Sequence, residues 1–273
     1  MVSYPHVEDI IPIARKAGEE ILRYYQEKYT IWDKPDHSPV TEADLAANNI
    51  ILKALAGISP FPILSEETKD DLRRQQSEAI WIVDPLDGTR DFIKKTDEFA
   101  VMIGLAVAGQ PVLGVVYNPA RDELHYAEKG RGSFLQVGSA KPLQISVDKS
   151  HDSSDVRLVL SRSHLKPEEI ELAKQFHIQT MHSCGGTGIK MGRIAEGLYD
   201  LYLNMSSGCG EWDTCAPEVI LQEAGGVVTD MFGKQFLYNQ ENVKRVHGVI
   251  ATNGIIHDKI IEGIQGYLNK NTV

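Results

Sequence analysis

The sequence predicts an α/β (α+β) protein, with an α+β first half and an α/β second half, and three patterns carry that expectation. An amphipathic stripe opens the chain, short Val-rich segments separated by Gly, Pro and Asp follow, and an alternation of strands and helices fills the remainder.

In the opening stretch, Val7, Ile10, Ile11, Ala14, Ala17, Ile21, Leu22 and Tyr25 recur at three- and four-residue intervals, which lays one apolar face along a helix from about His6 to Gln26. The polar run Asp33 to Pro39 breaks it. Thr41 starts a second helix: its hydroxyl can cap free amides, Asp44 favours the positive helix end, and Ala46 to Leu55 continues the stripe. Asp44 can equally face a site. Phe61 to Leu64 and Ala79 to Val83 are short apolar runs that end directly in acids, as strands do when they deliver ligands, and Pro85 is expected to stop the second. From Phe99 to Phe134 the Val-rich segments read as an antiparallel meander.

Lys141 to Asp155 is polar and is expected to link two subdomains, residues 1–141 and 142–273. Beyond it come a strand at Val156 to Leu160, a helix from Pro167 to Gln175, a Gly-rich turn into a helix from Thr187 to Leu198, and a strand at Asp200 to Leu203. A helix at Thr214 to Ala224, a strand near Gly248 to Ala251 and a helix from Ile256 to Leu268 complete the α/β half.

Composition narrows the function. The 273 residues are 42% hydrophobic and 24% charged, and 28 basic against 38 acidic side chains leave a formal charge of -10. Such a surface repels phosphate backbones, so no nucleic-acid polymer is expected as a partner. No stretch approaches a membrane span and no signal-peptide pattern opens the chain, which reads as cytoplasmic. Cys184, Cys209 and Cys215 match neither a redox pair nor a zinc pattern and are expected to be reduced packing residues. The apolar pattern leaves room for a homodimer.

The sharpest motif is Asp84-Pro85-Leu86-Asp87-Gly88-Thr89, where an apolar strand runs into two carboxylates with a glycine to permit a tight turn. Taken alone, such a segment is also ordinary turn chemistry. Two anions held that close repel unless a cation bridges them, and hard oxygen ligands without His or Cys suit Mg²⁺. Glu66-Glu67 closes another strand, and Trp212-Asp213 precedes the helix expected from Thr214. Each is bland by itself, one a pair of surface acids, the other a helix cap. Together, four acids at element ends can form a two-metal cluster. Cys184 to Lys190 is a glycine-rich entry to a helix, able to cradle a phosphate or simply to let backbones pack closely; it matches neither a Walker loop nor a dinucleotide fingerprint.

The order Asp44, Glu66-Glu67, DPLDGT, then Trp212-Asp213 with CAPEVILQEAGG closely resembles the lithium-sensitive, Mg²⁺-dependent phosphatases of the inositol monophosphatase superfamily, over almost the whole chain. Arg90-Asp91-Phe92-Ile93, Ser161-Arg162-Ser163-His164 and Lys190 look like the CysQ-type bisphosphate nucleotidase branch, which removes the 3′-phosphate of 3′-phosphoadenosine 5′-phosphate in sulfur assimilation. The resemblance implies a layered αβαβα sandwich and two or three Mg²⁺ ions per site. It makes Glu66, Asp84 and the Leu86 carbonyl ligands of a first metal, and Asp84, Asp87 and Asp213 ligands of a second. It makes Thr89 and Asp44 the water-activating pair, with Glu66 as a further acceptor, and Glu67 an orienting group.

Substrate contacts implied in the same way fall on Asp87, Gly88, Thr89, His164, Thr187, Lys190 and Asp213. One position departs from the pattern: nucleotide-specific relatives often carry Arg where this strand ends in Asn204, which offers no bidentate charge to a second phosphate. Inositol phosphates and fructose 1,6-bisphosphate therefore stay open as substrates. Two other classes compete. A haloacid-dehalogenase phosphatase would use a DxDGT nucleophile, but here two residues separate the acids. A noncatalytic metal- or nucleotide-binding regulator would keep the cluster without turnover, yet Thr89 and Asp44 are both present.

Overall fold

A computed structural model describes residues 4–70, 72–150 and 155–271. The first helix, α1 (Val7–Gln26), forms as its stripe predicts and buries Ile10, Ala14, Ala17 and Ile21. The polar break that follows is not structureless: β1 (Ile31–Asp33), which is exposed, and β2 (Pro39–Thr41), which is partly buried, pair as a small hairpin. Thr41 then caps α2 (Glu42–Ile58), accepting from the Ala43 amide, while the Asp44 carboxylate reaches back to the Thr41 amide.

A seven-stranded sheet follows, built from β3 (Ile63–Ser65), β4 (Ala79–Asp87), β5 (Ala100–Val107), β6 (Gln110–Asn118), β7 (Glu123–Glu128), β8 (Ser133–Val137) and β9 (Leu143–Ile145), in that spatial order. A short helix, α3 (Thr89–Ile93), interrupts it between β4 and β5. The meander is as expected, and β9 extends it beyond Lys141 into the stretch expected as a linker. Of that stretch, residues 151–154 lie outside the described residues.

The second sheet has the order β11-β10-β12-β14-β13. Its elements are β10 (Arg157–Ser161), α4 (Pro167–Gln175), β11 (Thr180–Cys184), α5 (Thr187–Ala195), β12 (Leu201–Asn204), α6 (Glu211–Glu223), β13 (Val227–Thr229), β14 (Val249–Thr252) and α7 (His257–Asn271). β10 pairs in parallel with β11 and β12, whereas β14 is antiparallel to β12 and β13.

Strand alternation sends side chains to both faces of each sheet, and three cores result. Trp81 and Val83 face α1 and α2, while Ile80 and Ile82 join Ile189, Val219 and Tyr202 around α5 and α6 between the sheets. Leu158, Leu201 and Leu203 pack with Leu172 of α4 and Ile260 and Ile264 of α7 on the far side. The layers are therefore α1/α2, sheet, α5/α6, sheet, α4/α7, the αβαβα sandwich. Among the described residues no helix is long and apolar enough to cross a membrane.

Candidate active site

β3 and β4 run in parallel with Ser65 opposite Val83, so Glu66, one residue past β3, arrives beside Asp84. The Glu66 amide donates to the Val83 carbonyl at 3.1 Å. Pro85 does not end β4, contrary to expectation. The ladder to β5 skips across a bulge after Asp84 and resumes where Asp87 pairs with Ala100, which re-aims the acids without losing the strand. Asp84 Oδ1 accepts the Leu86 amide at 3.0 Å. Gly88, at φ 86°, then turns the chain into α3, and a Cβ there would stand 2.9 Å from the Glu98 carbonyl oxygen.

Asp213 comes from the other half. α6 begins three residues earlier than expected, so Asp213 does not precede the helix but lies in its first turn, where its carboxylate accepts the Gly210 amide. Ligand oxygens of Asp84, Asp87 and Asp213 lie within 4.8 Å of one another. Such a group can hold a metal ion. Burial, then repulsion from Glu66, Asp87 and Asp213, pushes the Asp84 carboxyl well above its ordinary value. Burial followed by Glu66 and Asp87 lifts Asp213 to about 7. Asp87 is also raised by burial, but less freely, because Lys190 and the Thr187 and Gly188 amides, at 3.0 and 2.8 Å, stabilise its charge.

Thr89 opens α3 with its Oγ1 3.0 Å from Asp44 Oδ1 and 3.1 Å from the Leu86 carbonyl oxygen. Asp44 is buried, and that burial is the main reason its pKa is raised to about 6, against the pull of the Thr41 and Thr89 hydrogen bonds. Glu66 lines the cleft without joining the group of three: Lys34, from the hairpin, donates to Glu66 at 2.7 Å and to Glu67 at 2.5 Å. Burial opposes the Lys34 charge, but the two glutamates outweigh it and hold the ammonium above its usual pKa. Glu67 is raised to about 7 by burial and by Glu66.

Glu66, Asp84, Asp87, Thr89 and Asp213 line a cleft of about 380 Å³ between the halves, together with Gly88, His164, Thr187, Lys190 and Asn204. Lys190 is 2% exposed, donates to the Gly186 carbonyl at 2.6 Å and lies 5.1 Å from the Tyr202 ring centre. Burial, then the nearby Arg90 and Lys190, depress the His164 pKa. Asn204 Oδ1 accepts the Ser206 amide at 2.9 Å. Lys244 closes another side, 4.9 Å from the Trp212 ring centre and donating to the Gly208 carbonyl at 3.1 Å. Lys34 and Lys244 escape the sequence pattern. A cluster of acids calls for nearby cations, but nothing in the irregular segments that carry them says which lysines answer. All three cysteines are buried and free, as expected.

The model of the inositol monophosphatase family matches residues 6–268. The chain belongs to that family. It is thereby one of a family of phosphatases, and its relatives include the 3′(2′),5′-bisphosphate nucleotidases CysQ of Aggregatibacter actinomycetemcomitans, 36% identical across 86% of this chain and 87% of that protein, and of Salmonella typhimurium, 37% identical across 85% and 93%. The structure of CysQ from Bacteroides thetaiotaomicron superposes with a TM-score of 0.76 at 33% identity, covering 90% of this chain and 96% of that one. The extragenic suppressor protein SuhB from Bartonella henselae gives 0.80 at 28% identity over 94% and 97%.

Proposed function

We propose that this phosphatase is Mg²⁺-dependent and removes the 3′-phosphate of 3′-phosphoadenosine 5′-phosphate, giving AMP and inorganic phosphate. The observation that carries the reading is the meeting of Asp84, Asp87 and Asp213 in a cleft also lined by Thr89, which is hydrogen-bonded to the buried Asp44. The relatives named as bisphosphate nucleotidases support the substrate class.

The donor set fits Mg²⁺. Three carboxylates so close repel when ionised, which favours a hard divalent cation among them, and the one thiol lining the cleft, Cys209, is kept protonated by burial. In this reading Glu66, Asp84 and the Leu86 carbonyl hold one ion, and Asp84, Asp87 and Asp213 hold another. Bound there, magnesium supplies positive charge to the phosphoryl oxygens and acidity to a coordinated water.

The chain's own residues do the rest. Thr89, hydrogen-bonded to Asp44, orients the attacking water, takes its proton at Oγ1 and hands its own to Asp44 Oδ1; Glu66 is a second acceptor. The amides of the Gly88-Thr89 turn face the transferring phosphate. Thr187, Lys190 and His164, which line the same cleft from the second half, hold the nucleotide.

Phosphate release tested across 3′-phosphoadenosine 5′-phosphate, inositol 1-phosphate and fructose 1,6-bisphosphate, with Mg²⁺, with chelator and with Li⁺, decides the matter. The bisphosphate nucleotide is expected to be turned over best, with activity lost to chelation and reduced by Li⁺. Turnover that is indifferent to chelation sinks the metal reading. Asn204 favours a second reading, because it brings an amide where a guanidinium would grip a second phosphate. Lys190→Ala separates the two: a charge-assisted hydrogen bond contributes about 1.5–3 kcal/mol, so KM for the bisphosphate should rise by about one to two decades and that for inositol 1-phosphate far less. Equal losses on both, with a wild-type preference for inositol 1-phosphate, would overturn the nucleotidase reading and leave a Mg²⁺ phosphatase.

A further inference from the structure

Asp87 is held in place from outside its own half. Both of its oxygens are occupied by the first two backbone amides of α5, Thr187 on one and Gly188 on the other, directly after the turn that leads from β11 into that helix. Where that turn goes, the Asp87 carboxylate goes. The turn cannot be placed by its own side chains, since it consists of Gly185 and Gly186, and the close approach requires them: a Cβ on Gly185 would stand 2.5 Å from both Asp91 Cγ and the Glu98 carbonyl oxygen.

What fixes the turn is a side chain of the sequence Ser161-Arg162-Ser163-His164 at the end of β10. Arg162 Nη1 donates to Asp91 Oδ1 at 2.6 Å and contacts Glu98 Oε2 at 2.5 Å, and its Nη2 donates to the Ser183 carbonyl at 3.2 Å. Its backbone amide donates to the Cys184 carbonyl at 3.1 Å. The same Glu98 oxygen accepts the Gly185 amide at 2.8 Å. One guanidinium thus ties α3, the segment before β5, and the strand that enters the turn. The Asp91 and Glu98 side chains it joins are only 3% and 11% exposed, so neither has ready access to solvent screening. Without Arg162 the two acids would lose the cation they share, leaving Arg121, 3.6 Å from Glu98, and the neutral donors Thr96 on Asp91 and the Gly185 amide on Glu98.

We propose that Arg162 is a positioning residue for Asp87, acting across the interface between the two halves through Glu98, the Gly185-Gly186 turn and the first amides of α5. The inference rests on the reading of Asp87 as a metal ligand. It assigns to Arg162 the task of holding that ligand's orientation, a task which outer partners of metal ligands commonly perform at about 10- to 100-fold in affinity.

The test is Mg²⁺ binding by titration calorimetry, without substrate, for the wild type, Arg162→Met, Arg162→Lys and Arg15→Met. Arg15 pairs with Asp122 at 2.6 Å outside the cleft and controls for the loss of an interelement ion pair. Arg162→Met should weaken Mg²⁺ binding about tenfold or more. Arg162→Lys, which keeps the charge but not the fork, should recover part of the loss, and Arg15→Met should bind as the wild type does. Glu98→Ala cuts the link to Gly185 while leaving the Arg162–Asp91 pair, and stands in should Arg162→Met not fold. Wild-type affinity in either folded variant, or an equal loss in Arg15→Met, overturns the proposal. A wild-type chain that binds no Mg²⁺ overturns the metal reading itself, and this inference with it.

Discussion

In the proposed mechanism Thr89 and Asp44 form the smallest unit of the chemistry, and their geometry predicts a pH dependence. Asp44 must be ionised to accept a proton, and burial raises its pKa to about 6. Turnover at saturating Mg²⁺ should therefore rise as pH increases through about 6, the limb on which Asp44 loses its proton. A rate that is flat between pH 5 and 7 would sink that role. Thr89→Ala removes the hydroxyl and should lower kcat by roughly 10²- to 10⁴-fold, while Thr89→Ser should keep most of it. Asp213 carries the opposite lesson. Its raised pKa means that the metal-free fold loses stability as pH climbs from the ordinary carboxylate range through about 7, because the folded state resists the charge that the unfolded state accepts freely. Asp213→Asn should thus abolish the response to Mg²⁺ and most activity, yet melt no lower than the wild type at pH 8 without metal. A lower melting point there would contradict the repulsion argument.

Helix α6 shows how an element delivers such a residue. It lies against the seven-stranded sheet at two glycines: a Cβ on Gly114 would stand 2.3 Å from the Ala216 carbonyl oxygen, and one on Gly104 2.7 Å from Cys215 Sγ. Backbone has no rotamer to escape into, so Gly114→Ala must push the helix away. Overpacking of this kind typically destabilises by about 1–3 kcal/mol, and calorimetry should show a melting point lower by several degrees. Asp213 rides on the same helix, so activity should fall too; an unchanged melting point would show that the helix is not pinned there. Elements with a strong period were legible in the sequence: α1 through its stripe, the meander through its Val-rich runs, α2 through Thr41 and Asp44. β11 was not, because Thr180 to Ser183 are exposed on an edge strand and show no buried alternation of apolar side chains. The β1–β2 hairpin has strands of only three residues, the first of them exposed, and β13 is only three residues long. Pro85 misled because a bulge can carry a ladder past a proline that a regular strand would not tolerate.

At the scale of the whole molecule, the acids of the cleft were legible as a set able to form one cluster, but the distances at which they meet were not, since these depend on two halves meeting. Asp84 and Asp87 arrive on the first sheet and Asp213 on a helix packed between the sheets, and no local pattern states that distance. The layering itself came from the family resemblance rather than from periodicity. If the cluster binds Mg²⁺ as proposed, the same convergence would couple metal to folding: in the unfolded chain Asp213 is far from Asp84 and Asp87, so an ion that binds only the folded cluster would stabilise both halves at once by mass action. At 100 times its dissociation constant such a ligand contributes about 2.7 kcal/mol. Mg²⁺ should accordingly raise the melting point at pH 8, and a chelator should return it to the metal-free value. The increment should shrink as pH falls through about 7, where Asp213 takes up a proton that competes with the ion. Asp213→Asn should lose the increment, while Thr89→Ala, which leaves every proposed ligand in place, should retain it. Identical melting of the wild type in Mg²⁺ and in chelator, at protein concentrations where phosphate release is measured, would separate a cluster that merely packs from one that binds metal.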